Sequence, residues 1–204
     1  GDSMPSFRAS RAFLLFLLLA LTFVAYQPGL YGDFEFDDFS NIVDNPKLVV
    51  SEVSLQSLSE AAFSSYSGML KRPISMLSFA WNASTTGISQ PLYFKLTNLL
   101  IHLGNGLLVY VFIGQLLRRL RETGAAIDTG AGSWIQLAVA GMWLLHPINL
   151  TSVLYVVQRM TSLSAFFLLA ALLLHVMARR RTSGRSLTVL WLIAPELFEL
   201  RTSA

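Results

Sequence analysis

Leu92–Leu117, LYFKLTNLLIHLGNGLLVYVFIGQLL, decides the fold. The stretch carries one charge, Lys95, near its start, and it ends against Arg118, Arg119 and Arg121. A helix needs roughly 20 apolar residues to cross a hydrocarbon layer of about 30 Å, and this stretch supplies them. Upstream, residues 12–26 (AFLLFLLLALTFVAY) are uncharged and follow Arg8 and Arg11. Downstream, residues 133–146 are apolar but short and borrow from the glycine-rich stretch before them. Residues 159–178 contain LSAFFLLAALLLHVM and run into Arg179, Arg180 and Arg181, with Arg185 soon after. A last apolar run, Leu187–Ala194, stops at Pro195-Glu196, so residues 187–204 are expected to be a partial fifth crossing or a truncated end. The expected fold class is all-α: a polytopic transmembrane protein with four to five crossings.

Composition supports the same reading. Of 204 residues, 53% are hydrophobic and 13% charged, where soluble domains carry roughly 25% charged residues. That excludes a disordered chain and argues against a water-soluble globule. With no cysteine there is no disulfide framework, thiolate metal site or cysteine nucleophile. The pI of about 9.4 is no pointer to nucleic acid, because the basic residues cluster at the ends of apolar segments. The clusters at 8/11, 118–121 and 179–185 are each separated by two crossings. By the positive-inside rule, residues 1–11, 118–132 and 179–186 are then cytoplasmic, and 27–91 and 147–158 are outer loops. The first segment also has the basic start and short core of a signal peptide, but Phe23–Pro28 shows no clean small-x-small cleavage site.

Loop 27–91 reverses the charge balance, with seven acids against three bases. Four of the acids fall in Gly32–Phe39, GDFEFDDF. Extended, this run would put Asp33, Glu35 and Asp37 on one face and Phe34 and Phe36 on the other, with the rings anchoring at the membrane interface. Crowded carboxylates suit a general base, and Asp37 and Asp38 are also a candidate site for a hard divalent cation. A solvated acidic turn is the alternative. Ser57-x-x-Glu60 resembles a capping box, with Leu55, Leu58 and Ala62 spaced for a short amphipathic helix. A second such helix is expected from Pro73, with Ile74, Leu77 and Trp81 on its interfacial face. Arg72, directly before it, would form an anion site with the free N–H groups of the helix start, or would snorkel to lipid head groups.

The 20 residues from Arg159 to Arg179 span about 30 Å as helix, which places Arg159 at the outer boundary as a site residue or an interface anchor. His146 ends the third crossing on that side. Asn98 and His102 lie inside the second crossing, where His102 is expected to bond a neighbouring helix, and His175 is expected to be interfacial. The sequons Asn82-Ala83-Ser84 and Asn149-Leu150-Thr151 are weak by chance frequency. No nucleotide-binding, α/β-hydrolase or zinc-protease motif occurs, nor a repeat of about 34 residues.

FDDFSNIVDNPKL (36–48), RPISMLSFAWN (72–82), LYFKLTNLLIHLGNGLLVY (92–110) and LHPINLTSVLYVVQRMTSLSAFFLLAA (145–171) occur in that order. Together they resemble the N-terminal membrane part of the transmembrane-and-tetratricopeptide-repeat O-mannosyltransferases and their bacterial relatives, in the GT-C glycosyltransferase superfamily. The resemblance covers roughly residues 10–180. It implies an enzyme of a bacterial inner membrane, or of the endoplasmic reticulum in a eukaryote. Such an enzyme passes a sugar from a polyprenyl-phosphate donor to a protein Ser/Thr hydroxyl outside the cytoplasm. By motif, Asp37 or Asp38 would be the general base, Arg72 and Arg159 would hold the lipid phosphate, and His146 and Gln158 would line the site. The implied partners are membrane lipid, the donor and a protein acceptor, with no nucleic acid. The family carries more crossings and a repeat array, so a truncated chain is expected. A non-catalytic membrane anchor or lipid-phosphate-binding module is the second reading, and a transporter fragment, which would place paired charges mid-membrane, is the third.

Overall fold

The computed structural model describes residues 4–66 and 71–181, and every element among them is helical. The helices are α1 (Met4–Tyr26), α2 (Leu55–Ala62), α3 (Pro73–Thr86), α4 (Pro91–Glu122), α5 (Thr129–Leu145), α6 (Leu150–Leu154) and α7 (Arg159–Arg181). Three stretches are long and apolar enough to cross a membrane: Ser10–Tyr31, Pro91–Glu122 and Val156–Arg179. A fourth arises if α5 and residues 147–154, bent by 47° at the His146-Pro147 break, count as one span. The chain is thus an all-helical polytopic membrane protein. The expected partial crossing at 187–204 lies outside the described residues, as does Arg185.

α4 is the central element and packs against α1, α5, α6 and α7. Its polar residues explain how. Lys95, Asn98, His102 and Asn105 recur at intervals of three and four, so they share one face, and all four are buried. His102 Nε2 lies 3.0 Å from the Leu144 carbonyl, and Asn105 Nδ2 donates to the Ser162 carbonyl at 3.0 Å. In an apolar surround such bonds and small-residue contacts hold helices together, since apolar side chains gain nothing by leaving lipid for protein. Accordingly Phe13, Phe16, Val24, Phe167, Leu168 and Leu174 point outward and are exposed.

α4 and α5 meet closely at Gly106, which lies against the buried Leu144 side chain. A Cβ there would run into Leu144, whereas at Gly104 it would meet Phe166 at an ordinary 3.4 Å. Overpacking a filled interface costs about 1–3 kcal/mol, against about 1 kcal/mol gained by replacing a mid-helix glycine with alanine. Gly106→Ala should therefore lower the melting temperature in detergent while Gly104→Ala raises it or leaves it unchanged. Equal behaviour of the two variants would refute this packing.

Residues 27–66 and 71–90 form a cap at one end of the bundle. Ile42, Leu48, Ala61, Met76, Phe79, Phe94, Val156 and Met160 make a common core for the cap, α4 and the start of α7. Asn45 ties the turns together, donating from Nδ2 to Ser64 Oγ at 2.9 Å and to the Asn41 carbonyl at 3.1 Å. α3 begins at Pro73 and leaves Ile74, Leu77 and Trp81 exposed while Met76, Phe79 and Ala80 face the core. α2 starts three residues before the box read from the sequence. Ser54 Oγ accepts the Ser57 N–H at 3.1 Å, and Ser57 Oγ accepts the Ser54 N–H at 3.0 Å, so the box is Ser54 with Ser57. A hydroxyl serves at N3 as well as a carboxylate because it too can accept the N-cap N–H.

Candidate functional site

The stretch between α5 and α7, expected as a plain loop, is a chain of short helical turns: Pro147–Asn149, α6 and Val156–Gln158. Each break frees backbone groups that water cannot satisfy at membrane depth, so protein must do so. Asn98 supplies the donor, with Nδ2 reaching the carbonyls of Val153 (3.2 Å), Tyr155 (3.4 Å) and Val156 (3.2 Å). Asp38 supplies the acceptors: Val157 N–H donates to Oδ1 at 2.7 Å and Val156 N–H to Oδ2 at 3.4 Å. Asp38 Oδ2 also accepts the Glu35 N–H at 3.1 Å, closing its own turn.

The acidic run is therefore not an extended strand. It turns, Phe36 adopts a left-handed φ of 41°, and the two aspartates separate. Asp38 is buried and Asp37 exposed. Asp37 N–H donates to Tyr155 Oη at 3.0 Å, and the Phe36 ring meets Tyr155 edge-on at 6.4 Å. Phe34 turns inward onto Phe94, 5.7 Å away. A left-handed φ at a bulky residue costs of order 1–3 kcal/mol, and here it lets Asp38 turn inward while Asp37 stays out.

Burial pushes the Asp38 carboxyl above the usual carboxylate range, against the opposing pull of the Glu35, Val157 and Val156 N–H groups and of the Lys95 ammonium. Burial and the neighbouring carboxylates of Asp37, Asp38 and Glu35 raise the Tyr155 phenol, so it stays protonated at neutral pH. Its hydroxyl proton is left to donate while its oxygen holds Asp37.

The six residues singled out in the sequence do not converge. Arg159 is fully buried. Its Nε donates to Asn98 Oδ1 (2.7 Å), Nη1 to Ser78 Oγ (3.1 Å) and Nη2 to the Phe94 carbonyl (2.9 Å), and its guanidinium carbon sits 4.5 Å over the Phe79 ring. With all three nitrogens bonded inside the protein, Arg159 offers no exposed donor to a phosphate. Burial of its head turns the expected boundary cation into a brace between α3, α4 and α7. Arg72 stays exposed at the start of α3, with φ 44° and Nη1 3.4 Å from Met160 Sδ. It lines a pocket of about 150 Å³ with Pro73, Ile74, Ser75, Leu163, Ser164 and Phe167.

His146 is exposed, and its Nδ1 accepts the Ile148 N–H at 3.2 Å; it faces a separate apolar cleft with Val109, Met142 and Trp143. Gln158 Oε1 accepts the Thr161 hydroxyl at 2.9 Å. Among the described residues neither bonds to the acidic turn. The cation expected at Asp37 and Asp38 finds no cage either: the Asp38 oxygens are held by backbone N–H groups, and no three His, Cys, Asp or Glu side chains gather among the described residues. Tyr155, Asn98 and Lys95 are the partners that sequence reading did not assign to the site. The three-four-three spacing of Lys95, Asn98, His102 and Asn105 was the available signal for the last two.

A carboxylate turn braced against a broken helix, in an all-helical polytopic membrane protein, defines the class. The chain is similar to protein O-mannosyl-transferase TMTC4 of Homo sapiens, 28% identical over 182 residues that make 85% of this chain and 24% of that protein. It is also 29% identical over 160 residues to TMTC4 of Mus musculus, covering 76% of this chain and 22% of that protein. A protein O-mannosyl-transferase of Caenorhabditis elegans matches at 28% over 170 residues, 81% of this chain and 23% of that protein. These similarities support a relationship with that group, and the chain spans about a quarter of the length of the curated relatives it matches. No protein-family model and no solved structure matches the chain.

Proposed function

We propose that the chain is the N-terminal membrane part of a GT-C-type glycosyltransferase that moves a sugar, mannose or similar, from a polyprenyl-phosphate donor to protein Ser/Thr hydroxyls on the non-cytoplasmic side. In this reading Asp37, not Asp38, is the general base. The single observation that carries it is an exposed Asp37 whose own N–H is pinned by Tyr155 from 118 residues away. A carboxylate held by its backbone keeps its oxygens free for an incoming hydroxyl. As the acceptor oxygen bonds to the anomeric carbon, the bond from that carbon to the donor phosphate oxygen breaks, and the acceptor proton passes to Asp37. Charge accumulates on the departing phosphate, which a fixed cation stabilises. Arg72 is the exposed candidate, at the start of α3 and above an apolar pocket that suits the first carbons of a lipid.

The test is transfer of radiolabelled mannose from a polyprenyl-phosphate donor to a serine-rich peptide by the full-length protein in liposomes. Arg72→Gln is expected to raise the KM for donor about tenfold, the loss of one charged hydrogen bond. The second reading, a lipid-phosphate-binding anchor, rests on the same Arg72 pocket. Phosphate-lipid binding that Arg72→Gln weakens, without any transfer by the wild type, would favour it.

A further inference from the structure

Phe36 is the most exposed ring of the acidic turn, at 83%, and it sits on left-handed backbone with φ 41°. Glycine would take that conformation without strain, and a ring so exposed gains little from burial. Neither the turn nor the core therefore accounts for a phenylalanine here. Strain of this kind persists only where the surroundings enforce it, and it gathers at positions that contact ligands. Tyr155 supports the ring from one side, with the centroids 6.4 Å apart and the planes at 83°. Tyr155 is itself fixed: its hydroxyl accepts the Asp37 N–H at 3.0 Å, and its carbonyl accepts Asn98 Nδ2 at 3.4 Å. An open aromatic ring thus stands on a fixed support beside Asp37.

We propose that the Phe36 ring, seated against Tyr155, is the platform on which the hexopyranose of the sugar donor packs. This role rests on Asp37 acting as base. A base takes its proton across about 2.6–3.2 Å, and the anomeric carbon lies one forming bond beyond the acceptor oxygen. The sugar ring then falls among the side chains that adjoin residue 37, of which Phe36 is the exposed apolar one. A pyranose carries hydroxyls at its rim and C–H groups on its faces, and those C–H groups pack on the negative face of an aromatic ring. Tyr155 adds a donor for the rim. Among the described residues no acceptor takes its hydroxyl proton, which is left for a sugar hydroxyl.

The competing role for an exposed ring beside a membrane is an anchor among lipid head groups. Leucine separates the two, because it keeps an apolar side chain and removes the π face. The contact is read on the full-length protein in detergent by saturation-transfer difference NMR, with free mannosyl phosphate as the probe. Wild type should pass saturation to the C–H protons of one sugar face. In Phe36→Leu that pattern should fade and the dissociation constant of the probe rise several-fold to about tenfold, the worth of one aromatic contact. Phe36→Trp should recover both. The probe has no lipid tail, so an anchor predicts no change in any variant. Phe36→Gly guards against a leucine that strains the turn: it relieves the left-handed φ, should melt no lower than Phe36→Leu, and should bind the probe as weakly.

In liposomes the donor KM for mannose transfer should rise by the same factor in Phe36→Leu and return in Phe36→Trp. Equal affinity of wild type and Phe36→Leu for mannosyl phosphate, or a wild type that binds none, overturns the platform. A donor KM that rises while the affinity for the probe stays put assigns the ring to lipid and overturns it too. If Asp37→Asn transfers at the wild-type rate, the function reading falls, and the NMR comparison still judges whether Phe36 holds a sugar.

Discussion

Arg159→Leu is expected to destabilise the cap end of the bundle by roughly 2–3 kcal/mol, the range for losing charged hydrogen bonds to buried neutral partners. The guanidinium donates to Asn98, Ser78 and the Phe94 carbonyl, and stacks over Phe79 and Phe94. Leucine leaves Asn98 Oδ1 buried without its donor and takes the second donor from the Phe94 carbonyl, which keeps its bond within α4, and the first of these losses makes up most of the figure. Asn98 is then free to turn, and its grip on the carbonyls at 153, 155 and 156 loosens with it. Arg159→Lys should recover less than half, because an ammonium cannot span three acceptors set around a planar fork. Melting in detergent and protease cleavage near residues 150–160 measure the effect. A wild-type melting temperature in Arg159→Leu would restore Arg159 to the list of ligand-binding cations.

Asp37→Asn and Asp38→Asn should fail in opposite ways. Asp37→Asn is expected to lower kcat for mannose transfer about 10³-fold, within the 10²–10⁴ that a general base contributes. Its melting temperature should match wild type, since the contact that holds residue 37 is its backbone N–H to Tyr155. Asp38→Asn replaces one acceptor oxygen with an NH₂ that must face an N–H donor, either Val157 or the pair from Glu35 and Val156. A lost charged acceptor with a buried donor left over costs about 2–3 kcal/mol. It should show first in stability, and in kcat as a consequence. A fully active Asp37→Asn would remove the proposed base. A thermally stable but inactive Asp38→Asn would reverse the assignment of the two aspartates.

The separate fates of the adjacent aspartates show where reading the chain reached its limit. Their charge and crowding are visible in GDFEFDDF, but which one faces water depends on a left-handed turn at Phe36 and on N–H groups about 118 residues downstream. Arg159 marks the same limit. Its distance from Arg179 places its backbone at the start of α7, yet so long a side chain can turn toward water or toward the core. Asn98, Ser78 and Phe94 decide that, and they come from two other helices. His146 and Gln158 lie near Arg159 in sequence, but the bend at Pro147 sends His146 to a different cleft.

What the linear order of residues determined by itself is the all-helical polytopic plan, the helix start at Pro73 and the outward face of Ile74, Leu77 and Trp81. Each follows from local properties: apolar length against the thickness of a bilayer, proline geometry and helical period. What only the tertiary structure decided is the use of each charge. Asp38 became a clamp, Arg159 a brace and Lys95 a buried cation, because a charge takes its role from the groups that surround it, and those groups are distant in the chain.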